Sequence, residues 1–215
     1  MTVEPVWNVD VRLLADAASC SPLRGGFGPE GRIMLSGKGP AMSSTTLVSV
    51  QEYLATGYRP DRDFIDGELQ ERNLGELEHS RLQSAILVWF WTHREEWNIL
   101  PLVEQRIQVA RTRFRIPDVT VLRPDQANEP IITVPPLILI EVLSKDDTLR
   151  SMRERVDDYL NFGVQHVWIL DPATKRAYVC SPTAFQEPEH GTLAVPNSPI
   201  RLVLSELFDQ VERTS

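Results

Sequence analysis

Apolar side chains recur at helical spacing in two long segments of the chain. The first segment begins at Glu78 and extends to about Trp97, and its spacing predicts an amphipathic helix facing a core. Its inward stripe consists of Leu82, Ile86, Trp89, Phe90 and Trp97. The second predicted helix is capped by Asp147 or Thr148 and terminated by Gly163. Its apolar face consists of Leu149, Met152, Val156, Tyr159 and Leu160.

Runs rich in apolar and β-branched residues predict a series of β-strands around these helices. The runs are 99–110, 113–122, 136–143, 166–170 and 176–180, with a strand pair over 63–72. The last two runs flank a turn at 171–174 and therefore predict a hairpin. Short helices are expected at 49–55 and within 200–211. The order helix, three strands, helix, strand predicts an α/β fold with a mixed central sheet flanked by helices.

Composition and charge narrow the class of protein. The 215 residues are 42% hydrophobic and 24% charged, which is enough for one well-filled core. A formal charge of −8 means that nucleic-acid binding would depend on a local basic surface or a bound metal. Two cysteines provide neither a disulfide framework nor zinc-ligand spacing, and no apolar run is long enough for a membrane span. We therefore expect a cytoplasmic protein without membrane segments.

The first 41 residues differ from the rest of the chain. Glycine and proline are frequent there and no periodicity is sustained, so we expect residues 1–41 to form a flexible extension. Met42 is a candidate translation start, in which case the extension would not be native. Residues 42–215 are expected to form the folded domain.

Two acidic residues stand out against the predicted sheet. Asp118 follows Pro117 at the entrance of one strand, and Glu141 lies 23 positions later inside the apolar run 137–143. A carboxylate within a buried strand is costly unless a cation or hydrogen bonds compensate it. Side by side in a sheet, the two acids could share a divalent metal. The alternatives are a turn aspartate at Asp118 and a buried ion pair with an arginine at Glu141.

Six short blocks in order carry a more specific signal. They are FIDGEL at 64–69, Glu78-His79, PDV at 117–119, IEVLS at 140–144, RERVDDY at 153–159 and VWILDP at 167–172. Between about residues 47 and 180 the chain resembles the PD-(D/E)XK nuclease superfamily, and within it a family of small bacterial restriction-endonuclease-like proteins. This resemblance implies a restriction-endonuclease-like core of α-β-β-β-α-β order.

The resemblance also implies a chemistry. Asp118 and Glu141 would hold Mg²⁺, with Mn²⁺ as a possible substitute and no organic cofactor, and the carbonyl of Val142 would complete the shell. Glu78 or Glu68 would supply a further acid. Glu78 is also favourable at a helix N-terminus for dipole reasons alone, and Glu68 also suits a hairpin turn.

One departure from the superfamily pattern concerns its lysine. The position two residues after Glu141 is Leu143, and the matching basic residue on the next helix is Arg155. Arginine stays protonated, so it can stabilise a phosphate but cannot accept a proton from water. Lys145 would supply an amine if the strand continued past Ser144. Arg155 could instead simply pair with Glu141 or Asp118.

Arg111, Arg113 and Arg115 alternate with other residues just before Asp118. In a strand all three would project to one side and could bind a phosphate backbone, or they could form an exposed solubilising face. The leading hypothesis is a Mg²⁺-dependent endonuclease acting on DNA as a homodimer. The alternative is a catalytically weak or inactive member that binds nucleic acid or a protein partner.

Overall fold

The computed structural model describes residues 47–72 and 76–213. Its helices are α1 (Val50–Ala55), α2 (Leu77–Thr92), α3 (Arg94–Trp97), α4 (Leu149–Phe162) and α5 (Leu204–Arg213). Its strands are β1 (Arg62–Ile65), β2 (Glu68–Glu71), β3 (Leu100–Val103), β4 (Ile107–Ala110), β5 (Arg113–Arg115), β6 (Val119–Leu122), β7 (Ile138–Val142), β8 (His166–Asp171), β9 (Arg176–Cys180), β10 (Phe185–Gln186), β11 (Thr192–Ala194) and β12 (Arg201–Val203). The predicted extension and its boundary at Met42 lie outside the described residues.

A six-stranded mixed sheet forms the centre, in the order β10-β9-β8-β7-β6-β3. Strands β7 and β8 are parallel because α4 crosses over between them, and every other neighbouring pair is antiparallel. The predicted mixed sheet flanked by helices is therefore confirmed. The predicted hairpin of β8 and β9 is also present.

Side-chain alternation divides the core between the two faces of this sheet. On one face α2 and α5 pack against alternate strand residues, with a core that includes Leu82, Ile86, Phe90, Val119, Val121, Ile138, Ile140, Val142, Leu207 and Phe208. On the other face α4 packs against the intervening residues, with a core that includes Leu139, Met152, Val156, Tyr159, Val167 and Ile169. Since Glu141 alternates with Ile140 and Val142, it projects toward α4.

A second sheet of order β2-β1-β5-β4 stands beside the central one. The sequence runs 99–110 and 113–122 each contribute one strand to each sheet, a division that their composition did not reveal. The first run breaks at Glu104, which has a positive φ of 49°, and the second breaks at Pro117, which has no N–H to donate. The break at Pro117 places Asp118 immediately before β6.

The predicted helices are confirmed with shifted ends. Helix α2 stops at Thr92, and a separate single turn, α3, carries Trp97. Thr148 caps α4, since its hydroxyl accepts from the Ser151 N–H at 3.1 Å. Gly163 ends α4 in the left-handed region. Within the described ranges, no helix has both the length and the apolar character needed to cross a membrane.

Replacing Gly163 with alanine should destabilise the protein by about 1–2 kcal/mol, because an L-residue is strained at its φ of 105°. A Cβ there would also lie 3.3 Å from the Pro135 side chain. Urea unfolding measures the change. Gly57→Ala is the matched control, since nothing lies within 4 Å of its added Cβ, and its unfolding free energy should not fall. Equal stability of the two variants would contradict the prediction.

Candidate functional site

Asp118 and Glu141, here called the acid pair, lie side by side in the central sheet, Asp118 just before β6 and Glu141 within β7. The antiparallel register of β6 and β7 pairs Val119 with Ile140, so the residues next to them, Asp118 and Glu141, are also neighbours. Both side chains are buried, with only 4% and 1% of their surfaces exposed. The predicted convergence of these two acids is therefore present in the fold.

Three donors surround the carboxylate of Asp118. The backbone N–H of Val142 donates to Oδ2 at 2.7 Å, Arg72 Nη2 donates to Oδ1 at 3.0 Å, and His79 Nε2 lies 3.3 Å from Oδ2. Burial opposes ionisation of Asp118, but the hydrogen bond and charge of His79, the charge of Arg72 and the Val142 N–H together lower its pKa below the usual value. Burial likewise opposes protonation of His79, and Asp118 nevertheless raises the pKa of this histidine. Asp118 is thus held as a carboxylate.

Glu141 has fewer compensating contacts. The Tyr159 hydroxyl donates to its Oε1 at 2.5 Å, and Arg155 Nη1 lies 3.5 Å from its Oε2. Burial and then the charge of Asp118 raise the pKa of Glu141 to about 7. The two acids therefore differ in ionisation although they are neighbours.

A hard divalent cation fits the chemistry of this donor set. The acid pair offers carboxylate oxygens from two rigid strands, which are the ligands that Mg²⁺ and Mn²⁺ prefer. The mutual repulsion that raises the pKa of Glu141 would be relieved by a cation between the carboxylates. Asp118 and Glu141 would hold such an ion.

The predicted third acid does not join the pair. Glu68 and Glu78 are both exposed, and the described ranges contain no group of three or more acidic, histidine or cysteine side chains arranged to hold a metal. Glu78 lies in the first turn of α2, where its neighbour His79 faces Asp118 instead. The Val142 N–H donates to Asp118, and the role of the Val142 carbonyl in a metal shell stays a prediction.

Of the two predicted basic residues, the fold brings one to the acid pair. Arg155 reaches Glu141 from α4, and its second amino group lies 3.6 Å from Asp147. Lys145 does not continue the strand face as expected, because β7 ends at Val142. Its ammonium is exposed and pairs with Glu76.

The three arginines before Asp118 do not form the exposed basic face that the sequence predicted. Arg115 is 1% exposed and lies inside an ion network, with Asp63 at 3.0 Å and Asp158 at 2.7 Å. Arg113 shares Asp158 at 2.8 Å, and Arg111 is exposed in the turn before β5. Because Arg115 is buried and paired with Asp63 and Asp158, it is not available to a phosphate backbone. The sequence analysis did not identify Asp63 as a buried residue. Its negative charge makes the burial of Arg115 possible.

The sequence analysis did not predict that three further side chains contact Asp118: Arg72, His79 and Gln83. Gln83 Nε2 donates to the backbone carbonyl of Asp118 at 3.0 Å, one turn of α2 beyond His79. The spacing of His79 and Gln83, four residues apart, is the signal that places both on one helix face. No local pattern pointed to Arg72, which lies 46 residues from Asp118 in sequence.

The sequence of residues 50–212 matches the model of the Uma2 family, described as "Putative restriction endonuclease". The chain belongs to the Uma2 family. The structure of this Uma2 member is similar to the crystal structure of a "putative nuclease belonging to DUF820" from Anabaena variabilis ATCC 29413. The TM-score is 0.67 at 20% identity, over 76% of this chain and 99% of that one, which supports the fold. No curated protein matches the sequence.

Replacing Arg115 with methionine should destabilise this Uma2 protein by about 3–5 kcal/mol, because Asp63 and Asp158 would lose their buried counter-charge. Urea unfolding with circular dichroism checks this. Arg111→Met is the matched control at an exposed arginine, and its effect should stay within about 0.5 kcal/mol. A stable Arg115→Met protein with weakened DNA binding would restore the original prediction of a phosphate contact.

The raised pKa of Glu141 predicts a pH dependence of stability in metal-free protein. The native state binds this proton up to about pH 7, whereas the unfolded chain releases it near 4.5, so Glu141 lowers the unfolding free energy as pH rises through that window. The unfolding free energy of Glu141→Gln should therefore rise by about 3 kcal/mol relative to that of wild type between pH 4.5 and 8. Urea unfolding in the presence of a chelator measures this difference. A difference between the two proteins that does not change with pH would contradict this.

Proposed function

We propose that this protein is a metal-dependent endonuclease that hydrolyses phosphodiester bonds in DNA, with Mg²⁺ as its cofactor and Mn²⁺ as a possible substitute. The observation that carries the proposal is the juxtaposition of Asp118 and Glu141 on one sheet face. Family membership and the fold support nuclease activity in general. A homodimer, which the resemblance to the nuclease superfamily implies, and a cytoplasmic location are further parts of the proposal.

Each residue around the acid pair has a definable part in such a reaction. Asp118 and Glu141 would hold the ion, which when bound polarises a phosphoryl oxygen and lowers the pKa of water. The Val142 N–H and the Tyr159 hydroxyl orient the two carboxylates. Burial would lower the pKa of Arg155, but the charge of Glu141 raises it above the usual value, so this side chain stays cationic. It can stabilise negative charge on a phosphate but cannot take a proton.

One observation favours the second candidate, a nucleic-acid- or protein-binding module with little or no catalysis. The basic side chains that contact the acid pair within the described ranges are Arg72, His79 and Arg155. The superfamily's lysine has no counterpart among these contacts, because Lys145 pairs with Glu76 at the surface. A site of this composition can bind a phosphate without hydrolysing it.

Nicking of supercoiled plasmid in Mg²⁺ or Mn²⁺ tests the proposal. Asp118→Asn and Glu141→Gln should each lower the rate by more than about 100-fold, because each removes a charged carboxylate that would hold the metal ion. Asp125→Asn, at an exposed aspartate, is the matched control and should cleave like wild type.

Nicking that persists equally in both site variants would contradict the endonuclease proposal. The binding module is the correct function if three results are found together. No metal supports cleavage, Mn²⁺ binds to wild type but not to Asp118→Asn, and the protein still binds DNA. Calorimetric titration with Mn²⁺ distinguishes these results.

A further inference from the structure

Arg72 lies between two acids that differ in burial. It follows β2, and its Nη2 donates to Asp118 Oδ1 at 3.0 Å while its Nη1 lies 3.8 Å from Glu104. The side chain of Asp118 is 5% exposed, and that of Glu104 is 59% exposed. Arg72 therefore has an inner partner at the candidate site and an outer partner at the surface.

Each carboxylate oxygen of the acid pair has a contact with another described residue. Asp118 Oδ2 accepts the backbone N–H of Val142 and lies 3.3 Å from His79 Nε2. Tyr159 and Arg155 contact the two oxygens of Glu141. A divalent ion at Asp118 would lie close to the Arg72 guanidinium on Oδ1, and because two cations repel each other, their binding to this carboxylate competes. The Val142 N–H is fixed by the sheet, whereas a surface-connected side chain can move.

Arg72 is the donor that can move to a second acidic partner at the surface. Arg155 lies between Glu141 and Asp147, and the Asp147 side chain is only 5% exposed, so both of its partners are interior. Arg72 can leave Asp118 and keep an acidic partner in Glu104. The backbone N–H of Glu104 donates to the Asp118 carbonyl at 3.3 Å, which keeps Glu104 beside the site.

We propose that Arg72 is a displaceable cation that competes with the divalent ion for Asp118, and that Glu104 receives Arg72 when the ion binds. The inference rests on the proposed function only for the presence of a metal at Asp118. In the metal-free protein Arg72 and His79 supply the positive charge that the buried carboxylate requires. Metal binding exchanges one cation for another, so the Arg72–Glu104 contact helps to set metal affinity.

The test is Mn²⁺ binding to the whole 215-residue chain without DNA, followed by the electron paramagnetic resonance signal of free Mn²⁺. Arg72→Gln should bind Mn²⁺ about tenfold more tightly than wild type, a size typical of coupling between two binding events. Glu104→Gln should weaken binding several-fold, because Arg72 then has no outer partner. In the Arg72→Gln background, Glu104→Gln should have no effect.

This double-mutant cycle separates competition from general electrostatics. If Glu104 acted only through its charge, Glu104→Gln would weaken Mn²⁺ binding equally in both backgrounds, and that result would overturn the proposal. Unchanged or weaker binding by Arg72→Gln would also overturn it. Arg62→Gln is the charge-matched control, since Arg62 pairs with Glu71 at 2.8 Å on the neighbouring strand and should leave the affinity unchanged.

The outcomes for the metal site and for the competition are distinguishable. Mn²⁺ binding that is lost in Asp118→Asn but unaffected by Arg72→Gln overturns the competition alone. Absence of Mn²⁺ binding in both wild type and Arg72→Gln overturns the metal site and the competition together. Glu104 is exposed, so Glu104→Gln should fold and give a readout even if Arg72→Gln does not.

Discussion

Two carboxylates that face each other in the interior of a sheet must be compensated by positive charge or hydrogen bonds. Asp118 and Glu141 are adjacent across β6 and β7, and removing either charge from water costs several kcal/mol before compensation. Their compensating side chains come from three places in the fold: Arg72 after β2, His79 on α2, and Arg155 with Tyr159 on α4. The acid pair therefore joins both helical layers to the central sheet.

A second buried network fixes the orientation of α4. Asp158 binds Arg115 of β5, and the next residue, Tyr159, binds Glu141. Arg155 lies three residues before Asp158, one helical turn away, so it faces the same side. The contact between β5 and Asp158 thus sets the rotation of α4 that brings Tyr159 and Arg155 to Glu141. A buried ion network of this kind contributes to a unique arrangement more than to net stability.

The sequence predicted the parts of the site that depend on local patterns. Alternation in β7 and the proline before Asp118 are local, so the convergence of the acid pair could be inferred. The partners of these acids could not, because Arg72 is 46 residues from Asp118, and Arg115 is 52 residues from Asp63. Whether an arginine in a strand binds phosphate or a buried aspartate depends on which sheet the strand joins. For the same reason the end of β7 at Val142, which decides the position of Lys145, was not visible in an apolar run that continues to Leu143.

The unequal ionisation of the acid pair follows from this unequal compensation. Asp118 has a backbone N–H, a guanidinium and an imidazole within 3.3 Å, whereas Glu141 has one hydroxyl and a guanidinium 3.5 Å away. Burial and repulsion from Asp118 therefore raise the pKa of Glu141 to about 7, while the pKa of Asp118 remains low. Near neutral pH the site gains its second negative charge most readily when another positive charge is present. Full ionisation of the acid pair thus depends on positive charge beside it, and on Asp118 part of that charge comes from Arg72, an arginine with a second acidic partner at the surface.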